Sequence, residues 1–195
     1  MDSRIPYLSA FLPSLPALPP PTLPQLSAWG HDTGAPITDC FEAMPLTLSP
    51  ASVPFALAAA AIVSAARLAL LRFSPAFLDA TNASNTRALS NLNATDLIWV
   101  SLLPGISEEL LFRGALLPLV GVNGTGVIVS GAVFGLLHIT GDRNLTFAAW
   151  ATSVGCVYGV LAVATGDMAS AMLAHSLANL VSAGWWKWQQ QQQQY

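Results

Sequence analysis

Five apolar segments follow one another along most of the chain, and each is long enough to form a helix. A bilayer-spanning helix needs about 20 predominantly apolar residues, and the first of these segments reaches that length. Small residues (Gly, Ala and Ser) recur in the segments, as they do in helices that pack closely in lipid. The pattern predicts an all-α fold, a multi-span transmembrane helix bundle, with segments at residues 52–73, 96–120, 124–139, 145–165 and 168–186.

The scarcity of charge supports a membrane fold. Charged residues make up 9% of the 195 residues, against about 25% in soluble domains. The alternative is a soluble helical bundle, because segments 124–139 and 168–186 are short for independent spans. The net charge of −3 shows no basic bias, so the expected partner is a lipid bilayer and not nucleic acid. Cys40 and Cys156 are too few and too far apart for a disulfide framework.

Both ends of the chain differ from the apolar middle. Ten of the fourteen prolines lie in residues 1–50, which predicts a Pro-rich disordered leader. A plastid or mitochondrial transit peptide is one interpretation of this leader, although it is poor in arginine. Residues 51–94 are predicted to hold the first transmembrane helix and a polar loop, and residues 95–187 the transmembrane core. Residues 188–195 form a Gln-rich tail.

Three charges stand inside the second apolar segment, at Glu108, Glu109 and Arg113. Each would cost about 2.5–3.5 kcal/mol or more at a bilayer centre, so they should face protein or a water-filled cavity. On a helix, Glu109 and Arg113 lie about 40° apart around the axis, close enough to pair. Glu108 is rotated by about 100° from its neighbour and is not opposite Arg113. The spacing predicts that Arg113 holds Glu109 ionised, while Glu108 is available as a general base.

A purely structural interpretation of these charges is also open. Glu109 and Arg113 could form an ion pair without chemistry, with Glu108 at a hydrated helix end. Ser107 could cap the N-terminus of a helix, which would place both carboxylates in its favourable first turn. Pro104-Gly105 just before it predicts a kink or a break.

Two histidines and an asparagine add to the charged motif. His138 ends the third apolar segment, and His175 and Asn179 are four residues apart on one face of the last segment. A single buried histidine is more often structural than catalytic. Here two of the three histidines accompany paired glutamates in an otherwise apolar region. A carboxylate, two imidazoles and an amide on three segments could activate water and hold a developing oxyanion.

The three motifs together resemble a known family. Glu108-Glu109-x-x-x-Arg113, Phe134-x-x-x-His138 and His175-x-x-x-Asn179 occur in the order of the motifs of the CPBP family. That family comprises the type II CAAX prenyl proteases and the bacteriocin-processing or immunity proteins, also called the abortive-infection domain. The resemblance covers about residues 95–187, which would be the catalytic core. The sequences GISEELLFRGALLPL and FGLLHI are most similar to those of family members from plants and algae.

The resemblance implies a role for each residue. Glu108 would activate the attacking water, and His138 would help to bind it. Glu109 and Arg113 would orient the site, while His175 and Asn179 would stabilise the tetrahedral oxyanion or complete a metal site. The family has been described both as metalloproteases and as metal-independent glutamate proteases. A metal would be Zn²⁺ held by Glu108, His138 and His175, although the helical HExxH arrangement is absent.

The resemblance therefore predicts an intramembrane endopeptidase, a hydrolase acting on a membrane-associated or prenylated CAAX-type peptide. It would be an integral, multi-pass protein of a plastid membrane, with the endoplasmic reticulum as the alternative. Only one clear span precedes the core, whereas family members often carry several more, so the substrate-binding part could be reduced.

The alternative function is a non-proteolytic membrane scaffold that stabilises a partner protein. A transporter or channel is disfavoured, since no inverted repeat is visible.

Overall fold

The computed structural model of the chain describes residues 40–141 and 143–192. Its helices are, in chain order, α1 (Cys40–Ala43), α2 (Val53–Phe73), α3 (Pro75–Leu89), α4 (Ala94–Glu109), a π-helical segment (Leu110–Leu116), α5 (Leu117–Val120), α6 (Gly124–Leu136), α7 (Leu145–Thr165) and α8 (Ala169–Gln192). The described residues contain no strand, which confirms the predicted all-α fold. The first 39 residues of the predicted leader and the last three of the tail lie outside the described residues.

Asparagine caps set the start of three helices. The side chain of Asn93 accepts from the backbone N–H of Asp96 at 3.0 Å, and Asp96 accepts from Asn93 N–H at 3.2 Å. This reciprocal capping box begins α4. Asn123 caps α6 through the N–H groups of the following residues, and Asn144 caps α7. The polar residues between the apolar segments thus satisfy the free N–H groups at the helix starts.

Residues 75–89 correct the prediction of a polar loop, because they form helix α3. Ser74 caps this helix by accepting from Phe77 N–H at 3.3 Å, and a proline stands at its first position. Phe77 is fully buried and packs on α7, 5.6 Å from the ring of Phe147 and 5.9 Å from that of Trp150. A few apolar residues on one face are therefore enough to dock a mostly polar helix. The division of the chain into domains stays a prediction.

Helix α4 also corrects the sequence analysis, because it continues through Pro104-Gly105 to Glu109 without a break. Ser107 lies in the last turns of this helix and does not cap its N-terminus. Gly105 serves a different purpose. A Cβ atom at this position would lie 2.8 Å from the backbone nitrogen and 2.9 Å from the Cα atom of Ser176. The glycine thus permits α4 and α8 to pack in close contact, as small residues do in membrane bundles.

A second close crossing joins α6 and α7. A Cβ atom on Gly155 of α7 would lie 3.0 Å from the Cα atom of Gly131 of α6. The main core next to it is formed by α2, α7 and α8. Met44, from the end of the predicted leader, is fully buried in this core. The backbone N–H of Met168 also donates to the carbonyl of Pro45 at 3.0 Å, so the chain around residue 44 packs on the bundle.

Two helices are long and apolar enough to cross a bilayer, namely α2 and α7, with mean hydropathies of 1.9 and 1.7. Only 22% of the most apolar window of α2 is buried inside the protein, against 44% for α7. The exposed apolar side chains of α2 would therefore lie against lipid; they include Phe55, Leu57, Ile62 and Phe73. Helix α6 is apolar but has 13 residues. More than two spans remain a prediction.

Candidate active site

A buried ion pair between Glu109 and Arg113 lies at the centre of the site. The Nη1 atom of Arg113 donates to Oε1 of Glu109 at 3.0 Å and lies 3.0 Å from Oε2, without hydrogen-bond geometry to that second oxygen. Both side chains are 0% exposed. The predicted pairing is therefore confirmed. The guanidinium also donates through Nη2 to the carbonyl of Gly155, and it lies 5.4 Å from the ring centre of Phe134.

The pair spans a change in helix geometry. Glu109 is the last residue of α4, and Arg113 lies in the π-helical segment that follows. A π-helical turn is wider than an α-helical turn and occurs frequently at functional sites. Arg113 reaches α6 through Phe134 and α7 through Gly155. A single arginine thus connects three parts of the bundle behind the site.

His175 of α8 is fixed by the same glutamate. Its Nδ1 atom lies 2.8 Å from Oε1 of Glu109. An ionised carboxylate can only accept, so Nδ1 carries the proton and Nε2 is left for other partners. The imidazole is stacked on the ring of Tyr158, with centroids 4.9 Å apart and planes at 25°. The contact with Glu109 and the stacking on Tyr158 therefore fix the orientation of the His175 ring.

Glu108 points away from Arg113, as its rotation on the helix predicts. Its side chain is 32% exposed, whereas that of Glu109 is fully buried. The Oε2 atom of Glu108 lies 3.9 Å from Nε2 of His175, which is longer than a hydrogen bond. The two adjacent glutamates thus have different surroundings. One is held by Arg113 and His175, and the other is accessible to a small molecule.

His138 lies in the turn after α6, outside the two helices that are long enough to cross a bilayer. Its Nδ1 atom is 2.7 Å from the carbonyl oxygen of Phe134. Because a carbonyl can only accept, Nδ1 carries the proton and Nε2 has a free lone pair. His138 can therefore accept a hydrogen bond or a proton through Nε2.

Asn179 follows His175 by one turn of α8. Its Nδ2 atom donates to the carbonyl of Ser101 in α4 at 3.4 Å, a long hydrogen bond. No other partner of this amide lies among residues 40–141 and 143–192. Since an amide nitrogen has two protons, one remains available to a ligand.

The accessible members of this set share one cavity of about 410 Å³. Glu108, His138, His175 and Asn179 are in its wall, while Glu109 and Arg113 lie behind it. The structure thus brings together all six residues that the sequence analysis selected. Their chemical roles remain predictions. The arrangement presents a carboxylate, two imidazole nitrogens and an amide N–H to one water-accessible volume.

The sequence analysis missed other residues that contribute to the site. Tyr158 and Gly155 come from α7, which the sequence analysis described only as an apolar segment. Tyr158 stands alone as a polar aromatic residue there, which is a weak signal. Gly155 acts through its backbone carbonyl, which every residue has, so the sequence gives no indication of its role. Arg67 and Arg143 also lie in the cavity wall. Their charges in or beside apolar segments could have identified them as candidate site residues.

The predicted zinc ligands are Glu108, His138 and His175. In the part of the chain that the structure describes, no three His, Cys, Asp or Glu side chains are grouped closely enough to hold a metal ion. Glu108, His138 and His175 as arranged therefore do not fit a zinc site, which needs its ligands at about 2.0–2.2 Å from one point. Zinc binding stays a prediction, and the chemistry below uses no metal.

The described residues thus form an all-α fold with two helices long and apolar enough to cross a bilayer, and with a cavity lined by a carboxylate and two histidines. Residues 90–181 match the family model described as Type II CAAX prenyl endopeptidase Rce1-like. This match covers most of the predicted core and supports the predicted resemblance to the CPBP family, a family of membrane-embedded proteases. Searches of curated proteins and of solved structures returned no match. An origin in plants or algae stays a prediction.

Proposed function

We propose that the chain is an intramembrane endopeptidase that hydrolyses membrane-associated or prenylated CAAX-type peptides. The observation that carries this proposal is the placement of Glu108 and two histidine Nε2 atoms around one cavity, with His175 fixed by a buried ion pair. The family match supports peptidase chemistry on prenylated substrates as a class, without identifying an individual substrate.

Glu108 is the general base. It takes a proton from a water molecule in the cavity, and the water oxygen attacks the carbonyl carbon of the peptide bond. His138 accepts the second hydrogen of the same water through Nε2 and so orients its lone pair. This role requires the neutral form of His138, with its proton on Nδ1.

Asn179 and His175 stabilise the oxyanion of the tetrahedral intermediate. Asn179 donates its free Nδ2 proton, and a protonated His175 donates from Nε2. The contact of Nδ1 with Glu109 orients the imidazole of His175, as a buried carboxylate does in other histidine-based hydrolases. Arg113 holds Glu109 in a buried ion pair and is a positioning residue, because it does not line the cavity.

Collapse of the intermediate breaks the bond between the carbonyl carbon and the nitrogen. Glu108 returns its proton to the leaving nitrogen, so one product ends in a carboxyl group and the other begins with an amine. Glu108 is then ionised again for the next cycle. The reaction consumes one water molecule and needs no other reactant.

A site between membrane helices suits a substrate that is anchored in lipid. The apolar part of a prenylated peptide could remain in the bilayer while the peptide itself enters the cavity from the side. This interpretation requires a multi-pass protein, and we propose a plastid membrane as its location, with the endoplasmic reticulum as the alternative.

A scaffold without proteolytic activity is the second candidate function. The network of Glu109, Arg113 and His175 connects α4, the π-helical segment, α7 and α8, so it would stabilise the bundle even without chemistry. Glu108 distinguishes the two functions, since this network does not include it. Only the endopeptidase needs the carboxylate of Glu108 in place of an amide of similar shape.

The test uses the full chain in detergent or liposomes with a fluorogenic, prenylated peptide that ends in a CAAX sequence. Glu108→Gln should lower the cleavage rate by about 10²- to 10⁴-fold, the usual contribution of a general base. Ser107→Ala is the matched control, because Ser107 is an exposed neighbour on the same helix. Thermal unfolding of all three proteins shows whether the variants are folded.

Cleavage by Glu108→Gln at the wild-type rate would eliminate the endopeptidase mechanism and favour the scaffold. If wild-type protein does not cleave the peptide, rescue of a deletion strain by Glu108→Gln decides the matter. Full rescue with unchanged peptide termini would support the scaffold, and failure to rescue would direct attention to another peptide substrate.

A further inference from the structure

A second group of polar residues lies in the wall of the same cavity and takes no part in the proposed hydrolysis. Ser64 and Arg67 come from α2, Asn85 from α3, and Arg143 from the connection between α6 and α7. Ser64 and Arg67 are three residues apart and so lie on one face of α2. This group, named here the arginine group, brings two positive charges into the cavity, where Glu108 is the one acidic side chain among the described residues of the wall.

Arg67 has no partner among the residues that the structure describes. Within residues 40–141 and 143–192 its guanidinium makes no hydrogen bond, ion pair or ring contact. The Oγ atom of Ser64 and the Nδ2 atom of Asn85 are also buried without a hydrogen-bond partner among the described residues. Buried polar groups are rarely left in this state, and each such group requires an explanation. Three uncommitted groups around one cavity indicate a ligand that accepts hydrogen bonds.

Arg143 differs from Arg67 because it is already held in place. Its Nε atom donates to the hydroxyl of Ser84 at 3.2 Å, and its guanidinium lies 4.8 Å from the ring centre of Phe147. Arg67 is therefore the arginine that is free to bind a ligand directly. Arg143 contributes a fixed positive charge. A carboxylate fits this set best, since a guanidinium binds it with two parallel hydrogen bonds.

We propose that Arg67, assisted by Asn85 and Ser64, binds the C-terminal carboxylate of the substrate peptide. This inference rests on the proposed function. A CAAX-type peptide ends three residues after its modified cysteine. In an extended chain its terminal carboxylate then lies within about 10 Å of that cysteine. A cavity that contains both Glu108 and Arg67 can therefore hold the reacting peptide bond and the chain end together. Arg67 would select peptides that end shortly after the cleavage position.

The test compares two peptides of one sequence, one with a free C-terminal carboxylate and one with a C-terminal amide. Binding of each fluorescent peptide to the full chain in neutral detergent and cleavage of each peptide are both measured. The wild-type protein should prefer the acid by about 10- to 100-fold, as expected for a charge-assisted hydrogen bond. Arg67→Gln should abolish this preference while binding the amide as the wild type does. Arg67→Lys should retain part of it.

Arg72→Gln is the matched control, because Arg72 lies on the same helix, is exposed and is not in the wall of the catalytic cavity. It should keep the full preference for the acid. Equal binding of acid and amide by the wild type would overturn the proposal. Equal weakening of both peptides by Arg67→Gln would also overturn it and would indicate a structural role or a bound lipid phosphate. A binding preference without cleavage would support the carboxylate site, and rescue of the deletion strain by Glu108→Gln would then decide between the endopeptidase and the scaffold.

Discussion

The Nδ1 atom of His175 lies 2.8 Å from Oε1 of Glu109, although 66 residues separate them in the chain. Through this contact, the ion pair of Glu109 and Arg113 also holds His175, which lines the cavity. Arg113 fixes Glu109, and Glu109 fixes the imidazole ring of His175. Glu109 and Arg113 therefore affect both stability and activity, and the two effects can be separated.

Glu109→Gln should destabilise the protein strongly. The substitution leaves the fully buried guanidinium of Arg113 without a compensating charge, which typically costs about 3–5 kcal/mol. The free energy of unfolding in detergent, from chemical denaturation, measures this loss. Glu108→Gln is the control, because Glu108 is partly exposed and does not pair with Arg113. A loss of equal size in the two variants would contradict the different environments of the two glutamates.

The double variant Glu109→Leu with Arg113→Met should separate stability from activity. Replacement of a whole buried ion pair by apolar residues is often neutral or stabilising. We therefore expect a free energy of unfolding close to that of the wild type. Activity should nevertheless be lost, because His175 loses the acceptor for its Nδ1 proton. A stable and fully active double variant would show that the pair has no positioning role.

Much of the fold was predictable from the sequence, because long apolar segments determine where helices can form. The predicted segment 145–165 coincides with helix α7. The failure at residues 75–89 has a physical cause. Composition there is polar, and the helix is stabilised by the Ser74 cap and by burial of Phe77 against α7. Such tertiary contacts override local composition and are not visible in the sequence.

The candidate site was predictable in part for a similar reason. The spacing of Glu109 and Arg113 determines their pairing within one helical stretch, and that pairing is confirmed. The contact between Glu109 and His175 depends on how α4 meets α8, which the spacing of residues within one helix does not define. Tyr158 and the carbonyl of Gly155 enter the site only through the packing of α7.

Tyr158 should act through its ring and not through its hydroxyl group. The ring is stacked on His175 and is almost completely buried. Tyr158→Phe keeps the ring and should leave cleavage nearly unchanged. Tyr158→Ala should lower the free energy of unfolding by about 3–5 kcal/mol and release the imidazole. Peptide cleavage and unfolding of both variants test this, and a large loss of cleavage in Tyr158→Phe would assign a role to the hydroxyl.

Gly105→Ala and Gly184→Ala should have opposite effects on stability. At Gly105 a methyl group would collide with the backbone of Ser176, and such overpacking costs about 1–3 kcal/mol or more. At Gly184, within α8, a methyl group would meet no atom within 4 Å. Alanine there should stabilise the helix by about 0.5–1 kcal/mol. Thermal unfolding of the two variants measures both effects, and a neutral Gly105→Ala would contradict the close contact of α4 and α8.

Removal of metal ions should leave peptide cleavage unchanged if the water is activated by Glu108 alone. This expectation follows from the donor geometry, since the described residues present no three suitable side chains around one point. The protein is dialysed against a chelator, its zinc content is measured by elemental analysis, and cleavage is assayed before and after dialysis. A protease with an established zinc site serves as the control for effective chelation. Loss of cleavage that Zn²⁺ restores, together with loss of zinc binding in His138→Ala, would instead establish the zinc site that the family resemblance implies.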